Sequence, residues 1–483
     1  SLEPEIESEL TALAADFDRL ELRALFTGEY DDRDAIIEVN SGAGGVDAQH
    51  QLVPPDVGHR FPWKQQQRAA PPLHHHPVHQ VRARVLHQVG GEVDQPADDA
   101  AVRAQHVLPG HPAEEQHARS MPHSPARAGR TRCNRRMRAL RMVGFNTEPE
   151  LMEIAEPEPG PGEVVVRVGA AGACHSDLHL LYEMDVSAVW PLPMTLGHET
   201  AGWVHALGEG VDGVSGGLSV GAPVAVYGAW GCGSCARCSV GAENYCERPQ
   251  VAGGGGLGVD GGMADYLLVP HHRHLVPLPA GLDPVTAAAL TDAGLTPYHA
   301  IRRSWPKLTP DATIVLIGVG GLGHLAVQIA RATTAAQVIA VDVKPEALEL
   351  ARKVGAHHTL ASDDNAAQAI RELTGGRGAD VLIDFVGAAP TIELARTAAR
   401  NQADVTIVGI AGGEVPVSFF SQPYEVSIAT TYWGTRPELV ELLALAARGD
   451  VSVERSTYSL DDGVQAYRDL HAGRVHGRAV VVP

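Results

Sequence analysis

The chain has 483 residues, 44% of them hydrophobic and 20% charged, with a formal net charge of −20. That length suits about three domains, and the apolar share is enough for real cores. The acidic balance argues against nucleic acid as a partner, and no run of about 18 apolar residues marks a membrane span.

Charge is spread unevenly: −10 over residues 1–49, +5 over 50–136 and −15 over the remainder. The acidic start lacks the basic, apolar pattern of a signal peptide, so the cytoplasm is the expected location. Residues 1–49 show acidic helical periodicity and then a β-rich, glycine-turn segment, IIEVNSGAGG. This stretch resembles the end of the helical domain, and the strand after it, of bacterial peptide chain release factor 2. The likeness stops at Gln49, and neither a GGQ loop nor an SPF tripeptide follows, so translation termination is not expected. Residues 50–136 turn to His, Arg, Pro and Gln and hold 11 of the 24 histidines. Without hydrophobic periodicity they cannot build a core, and disorder is expected. Two unrelated likenesses bracketing a non-periodic stretch suggest translation in an unnatural frame, with a proper start at Met137. His74, His75 and His76 offer an adventitious metal site, and Cys133 belongs to none.

From Met137 the pattern is that of a folded protein. GEVVVRVGAAG and PVAVYG read as strands of a small β-rich lobe. GACHSDLH carries Cys174, and LGHETAGWVHALGEG carries His198 and Glu199. Singly, Cys174 reads as a buried thiol and His198 as a core histidine. Together with a third protein ligand they would leave one position of a tetrahedral zinc open, the arrangement of a catalytic site. Cys232, Cys235, Cys238 and Cys246 then form a C-x2-C-x2-C-x7-C run. Four thiolates so spaced can close around one structural Zn²⁺, whereas disulfides between such near neighbours are strained.

Residues 290–425 alternate apolar strands (IVLIG, VIAVD, VLIDFVG, VTIVGI) with helical patterns, which predicts a doubly wound parallel sheet. Its first strand feeds Gly318, Gly320 and Gly323 and then an amphipathic helix, the turn in which a pyrophosphate meets backbone N–H groups. Asp342 ends the next strand, nineteen residues beyond Gly323, where a carboxylate can bind ribose hydroxyls and repel a 2′-phosphate. NAD is therefore the expected cofactor. The alternative is that Asp342 caps the following helix.

Five ordered strings, TLGHE, YGAWGCGSC, LTDAGLTPYHAI, GVGGLGH and YWGTR, make residues 137–483 resemble the zinc-dependent medium-chain alcohol dehydrogenases, with bacterial NAD-dependent secondary alcohol dehydrogenases as the nearest likeness. The resemblance implies an α/β architecture: a GroES-like catalytic domain over 137–289, completed by 426–483, and a Rossmann domain over 290–425. It also implies two zincs per chain, with Cys174, His198 and Asp292 holding the catalytic one and Glu199 beside it. Asp292 stands where many relatives have cysteine, and its harder oxygen would leave the metal more Lewis acidic. An alcohol oxygen at the open position is acidified, and hydride passes from its carbon to C4 of the nicotinamide. Ser176 and His179 fall at the places of a proton relay to solvent, while Asp177 is expected to hold local backbone. Trp190 and Trp433 are candidate walls of an apolar pocket, on likeness alone.

The implied substrates are secondary alcohols and ketones, with primary alcohols and aldehydes open, and the family implies a homodimer or homotetramer. Two other readings compete: a zinc-stabilised NAD binder without catalysis, which has no use for an open metal site, and a release-factor derivative.

Overall fold

The computed structural model describes residues 36–40, 82–86, 135–211, 218–248 and 253–483. The chain divides into two compact units, residues 1–125 and 126–483. In the first, strands β1 (Ile36–Asn40) and β2 (Arg82–Leu86) pair antiparallel. The second strand, RARVL, forms within the stretch expected to be disordered. The release-factor likeness, His74–His76 and Cys133 otherwise fall outside the described residues.

The second unit begins with β3 (Arg136–Met142), paired antiparallel with β4 (Glu150–Ala155) and β6 (Met194–Thr195). The central strand of the β-rich lobe is β5 (Val164–Ala173), buried at every position but Arg167. One edge of β5 pairs with β7 (Glu199–Leu207) along nearly its whole length. The other edge is shared between β11 (Tyr266–Val269) at its start and β20 (Arg478–Val482) at its end. β8 (Pro223–Val226) and β12 (Leu275–Pro277) extend the sheet beyond β7, and β19 (Arg455–Ser459) extends it beyond β20. The two-residue strands β9 (Gly254–Gly255) and β10 (Gly258–Val259) pair separately.

The other half is a six-stranded parallel sheet in the order β15-β14-β13-β16-β17-β18, comprising His358–Ala361, Gln337–Asp342, Thr313–Ile317, Ala379–Asp384, Ala399–Ile407 and Ser427–Thr430. Counted from β13, this is the doubly wound order 3-2-1-4-5-6, whose direction reverses between β13 and β16. TIVLI of β13 is buried throughout, as a strand covered by helices on both faces must be. The sheet runs to Thr430, past the boundary expected at residue 425, because β18 adds parallel to β17. The helix Arg436–Ala447 then packs on the helix Leu295–Arg303, and the β-rich lobe resumes only at β19. One apolar core, from Ala170 and Ala201 through Tyr298 to Ile314 and Val480, spans both halves.

Candidate active site

Cys174 ends β5's run and caps the helix His175–Tyr182, while His198 and Glu199 lie at the start of β7, the neighbouring strand. Antiparallel pairing of these strands brings together two motifs separated in sequence. Asp292 arrives from the other half on a π-helical turn, Leu290–Gly294, whose extra residue re-aims side chains as such turns do at functional sites. Ligand atoms of Cys174, His198, Glu199 and Asp292 all lie within 4.8 Å of one another. The donor set, one sulfur, one imidazole and two carboxylates, fits a zinc-sized ion. Asp292 Oδ1 accepts from Thr296 Oγ at 2.8 Å, while Oδ2 stands 3.6 Å from His198 Nε2 and turns toward the shared centre.

Asp177 does more than hold local backbone. Its fully buried carboxylate accepts from the Cys174 amide at 2.9 Å, from His198 Nδ1 at 3.0 Å and from the Tyr467 hydroxyl at 3.0 Å. A proton held on Nδ1 leaves Nε2 with a free lone pair facing the centre, the usual arrangement behind a ligating histidine. Burial works to lower the His198 pKa, but the Asp177 charge and hydrogen bond raise it well above an ordinary histidine's. Burial pushes the Cys174 thiol up, and Arg478 with His198 pulls it down to about 7. A cation at the centre would displace whatever protons remain.

Glu199 is fully buried and forms a two-point ion pair with Arg478, Nε to Oε2 being 2.9 Å; its Oε1 also accepts from the Ala293 amide at 3.2 Å. Arg478 was not singled out by sequence reasoning. The only sign of it is a charged residue heading the otherwise apolar strand RAVVV. Its guanidinium also approaches the glycine turn, where a Cβ on Gly321 would lie 2.7 Å from an Arg478 terminal nitrogen.

That turn is shaped for a dinucleotide. Gly318 has φ +89°, and a Cβ on Gly323 would fall on the Gly318 carbonyl, so the helix Gly323–Thr333 can pack this close only without side chains there. A Cβ on Gly320 would meet nothing within 4 Å, leaving open space in front of the backbone at the helix start. Asp342 Oδ2 accepts from the Val319 amide at 2.6 Å and Oδ1 from the Lys344 amide at 2.8 Å. The carboxylate thus stands beside the turn rather than capping the next helix, which starts after Lys344, and each oxygen keeps a lone pair.

Ser176 Oγ lies 3.5 Å from Cys174 Sγ, and His179 Nδ1 lies 2.6 Å from the exposed Glu183 carboxylate one turn along the same helix. Trp433 is buried, with its ring edge-on to His198 at 6.0 Å between centroids. Trp190 is only half-buried and lies over Gly258, whose added Cβ would meet the indole nitrogen at 3.3 Å. The second cluster among the described residues is Cys232, Cys235, Cys238 and Cys246, with thiols mutually within 4.8 Å. Backbone amides of Cys235, Cys238 and Arg248 point at sulfurs at 3.4, 3.5 and 3.4 Å, which favours thiolates. The Ser234 amide helps pull Cys232 down to about 5, whereas burial pushes Cys238 up to about 12, so a shared cation is needed for all four to ionise.

A doubly wound sheet whose glycine turn reaches, through Arg478, a buried cluster of one cysteine, one histidine and two carboxylates able to hold a metal is the architecture of a dinucleotide-dependent, metal-assisted oxidoreductase. Residues 160–280 match the alcohol dehydrogenase GroES-like domain, and residues 321–448 match the zinc-binding dehydrogenase domain. An NAD-dependent alcohol dehydrogenase of Sulfurisphaera tokodaii is 35% identical over 72% of the chain and 100% of its own length. The crystal structure of an Aeropyrum pernix alcohol dehydrogenase superposes with a TM-score of 0.66 at 36% identity, covering 72% of this chain and all of that one. An acetophenone reductase from Geotrichum candidum, solved with NAD, gives a TM-score of 0.62 at 31% identity over 72% of this chain and 97% of that one. The chain belongs to the zinc-dependent medium-chain alcohol dehydrogenase family.

Proposed function

We propose that the protein interconverts a secondary alcohol and its ketone by hydride exchange with NAD, using a catalytic zinc held by Cys174, His198 and Asp292 and a structural zinc held by the four clustered cysteines. The observation that carries this is the meeting of the four-residue cluster with a glycine turn through one buried arginine. Zinc at that cluster supplies Lewis-acid polarisation of the substrate oxygen, and NAD accepts the hydride.

The chain's own residues do the remaining work. Asp177 fixes the His198 ring, and Glu199 keeps Arg478 charged in a buried place where it can face the cofactor's pyrophosphate. Arg478 is held well above its ordinary value, with the charges of Cys174 and Glu199 outweighing burial. Ser176 Oγ would accept the proton of the substrate hydroxyl while releasing its own into a relay, and His179, hydrogen-bonded to Glu183 near the surface, would hand a proton on to water. Asp342 receives the adenosine ribose and disfavours a 2′-phosphate. Trp433 walls an apolar pocket beside His198, with Trp190 further out, which suits an aryl or medium alkyl arm. The acetophenone reductase among its structural neighbours supports the same substrate class.

A homo-oligomer, dimer or tetramer, is supported by β18, the edge strand of the described parallel sheet, and by the exposed Phe419, Phe420 and Tyr424 just before it. The five cysteines among the described residues form no disulfide, which favours a reducing compartment, the cytoplasm. No described helix is long and apolar enough to cross a membrane. The full chain should contain two zincs and reduce NAD with 1-phenylethanol or a similar secondary alcohol. No rise in absorbance at the NADH band across a broad alcohol panel, NAD and NADP in parallel, would refute the reading.

A further inference from the structure

Trp433 is held in a conformation that its own backbone disfavours. Its φ is +53°, a left-handed value that a bulky side chain adopts only when its surroundings insist. The surroundings here are specific. The indole nitrogen donates to the Thr291 carbonyl at 3.2 Å, one residue before Asp292. The six-membered ring packs so close to Gly228 that a Cβ there would overlap its Cζ2 atom. The carbonyls on either side of Trp433 are each held by one side chain from the β-rich lobe. Asn244 Nδ2 donates to the Tyr432 carbonyl at 3.0 Å, and the Tyr227 hydroxyl donates to the Gly434 carbonyl at 2.7 Å.

Asn244 belongs to the four-cysteine loop, two residues before Cys246, and the loop is tied to the same segment at two further points. The Arg436 amide donates to the Gly241 carbonyl at 2.8 Å. The Tyr245 hydroxyl donates to His299 Nε2 at 2.8 Å, and His299 Nδ1 donates to Glu438, the carboxylate that also accepts from the Thr435 amide at 2.7 Å. Asn244, Tyr227, His299 and Glu438 are all buried, so the Tyr227 and His299–Glu438 bonds are shielded from competing water, while the Tyr245 bond and the bond to the Tyr432 carbonyl lie nearer the surface.

The geometry points to a second role for the four-cysteine loop: it is a strut that sets the position of Trp433, and Asn244 and Tyr227 are positioning residues for substrate selectivity. This rests on the reading of Trp433 as a wall of the substrate pocket. A loop closed around a metal is stiff, and Asn244 carries that stiffness to the Tyr432 carbonyl before the indole, while Tyr227, just past β8 and outside the loop, anchors the Gly434 carbonyl after it. Loosening either peptide lets Trp433 relax from its left-handed conformation. The wall then shifts while Cys174, His198 and Asp292 stay where they are.

The test uses full-length zinc-loaded enzyme and the variants Asn244→Ala, Tyr227→Phe and Trp433→Ala, with 1-phenylethanol and 2-propanol as bulky and small substrates. Zinc content and amide hydrogen exchange over residues 431–435 are measured alongside kinetics. Asn244→Ala and Tyr227→Phe should each speed exchange in that segment about fivefold, the factor that one ordinary hydrogen bond is worth, and raise KM for 1-phenylethanol similarly. For 2-propanol, kcat should stay within about twofold of wild type, a change too small to reflect lost catalytic contacts. If Asn244→Ala loses zinc or folds poorly, the milder Asn244→Ser decides for the loop, and Tyr227→Phe, which removes one hydroxyl outside it, decides for the second anchor. Unchanged exchange and an unchanged KM ratio, with Trp433→Ala still altering that ratio, would overturn the strut while sparing the pocket wall. A wild-type ratio in Trp433→Ala would overturn both.

Discussion

Replacing Asp177 by Asn tests whether this carboxylate governs the metal centre. The change is nearly isosteric, so packing is kept and only the hydrogen-bond pattern alters. Three donors converge on the carboxylate: the Cys174 amide and the Tyr467 hydroxyl on Oδ2, and His198 Nδ1 on Oδ1. An amide has one accepting oxygen, and it is best placed facing the two donors on Oδ2. Its NH2 then meets His198 Nδ1, which can accept only if the imidazole proton moves to Nε2. Nε2 is the atom that faces the centre, so the proton occupies the lone pair a metal needs. Loss of such an orienting partner typically weakens metal binding by about 10- to 100-fold, or roughly 1.4–2.7 kcal/mol. The assay is zinc retained after dialysis against a graded chelator series, with the four-cysteine zinc as internal reference. One zinc should leave at a lower chelator concentration than in wild type, and kcat should fall with it. Two zincs held as tightly as in wild type, with unchanged kcat, would refute the orienting role.

The two proposed metal clusters should separate under substitution: Cys174→Ala abolishes turnover with the melting temperature little changed, whereas Cys235→Ala lowers zinc content by one and destabilises the fold. Equal, mild effects of the two would contradict that division. Asp342→Ser should raise the NADP-to-NAD ratio of kcat/KM by about tenfold or more, because a carboxylate set against a 2′-phosphate costs several kcal/mol; an unchanged ratio would remove Asp342 from cofactor selection. Buried His274 and His324 have pKa values pushed down by burial to about 2 and about 4, against about 6.5 in an unfolded chain. Below pH 6.5 the unfolded chain takes up protons that the folded one refuses, so stability falls with pH, by about 1.4 kcal/mol per unit for each histidine. Urea unfolding between pH 6 and 5 should therefore show a shallower pH dependence in His274→Gln than in wild type, and parallel curves would show that His274 does not contribute.

What could be read from the chain depended on how local the chemistry is. The cysteine run and the glycine turn are contiguous, and their spacing alone reports tetrahedral ligation and a strand-to-helix turn. The parallel strands were legible because a strand covered on both faces reads as an unbroken apolar run; β18, exposed along an edge, carries no such run, and the boundary was set short of it. Asp292 sits in a helical string, and only a family likeness marked it, because a π-helical turn leaves no clear trace in composition. Asp177 and Arg478 lay beyond such reading. Their partners Tyr467 and Glu199 are 290 and 279 positions away, and nothing local distinguishes a carboxylate that orients a ligand from one that caps a helix.

Arg478 also explains why the two halves need not be linked by a long-range device. β20 lies beside the end of β5 that delivers Cys174, and the same strand's first residue reaches both Glu199 and the glycine turn. A buried guanidinium needs anionic partners, here Cys174 and Glu199, and burial pushes the Glu199 carboxyl up to about 8 although Arg478 faces it and pulls it down. Breaking this pair would therefore leave an uncompensated charge at the point where the cluster and the cofactor turn meet, so Glu199→Gln should disturb cofactor binding and the metal site together. The pair ties the position of the glycine turn to that of the cluster, the alignment that hydride transfer between an alcohol and a dinucleotide bound there would need.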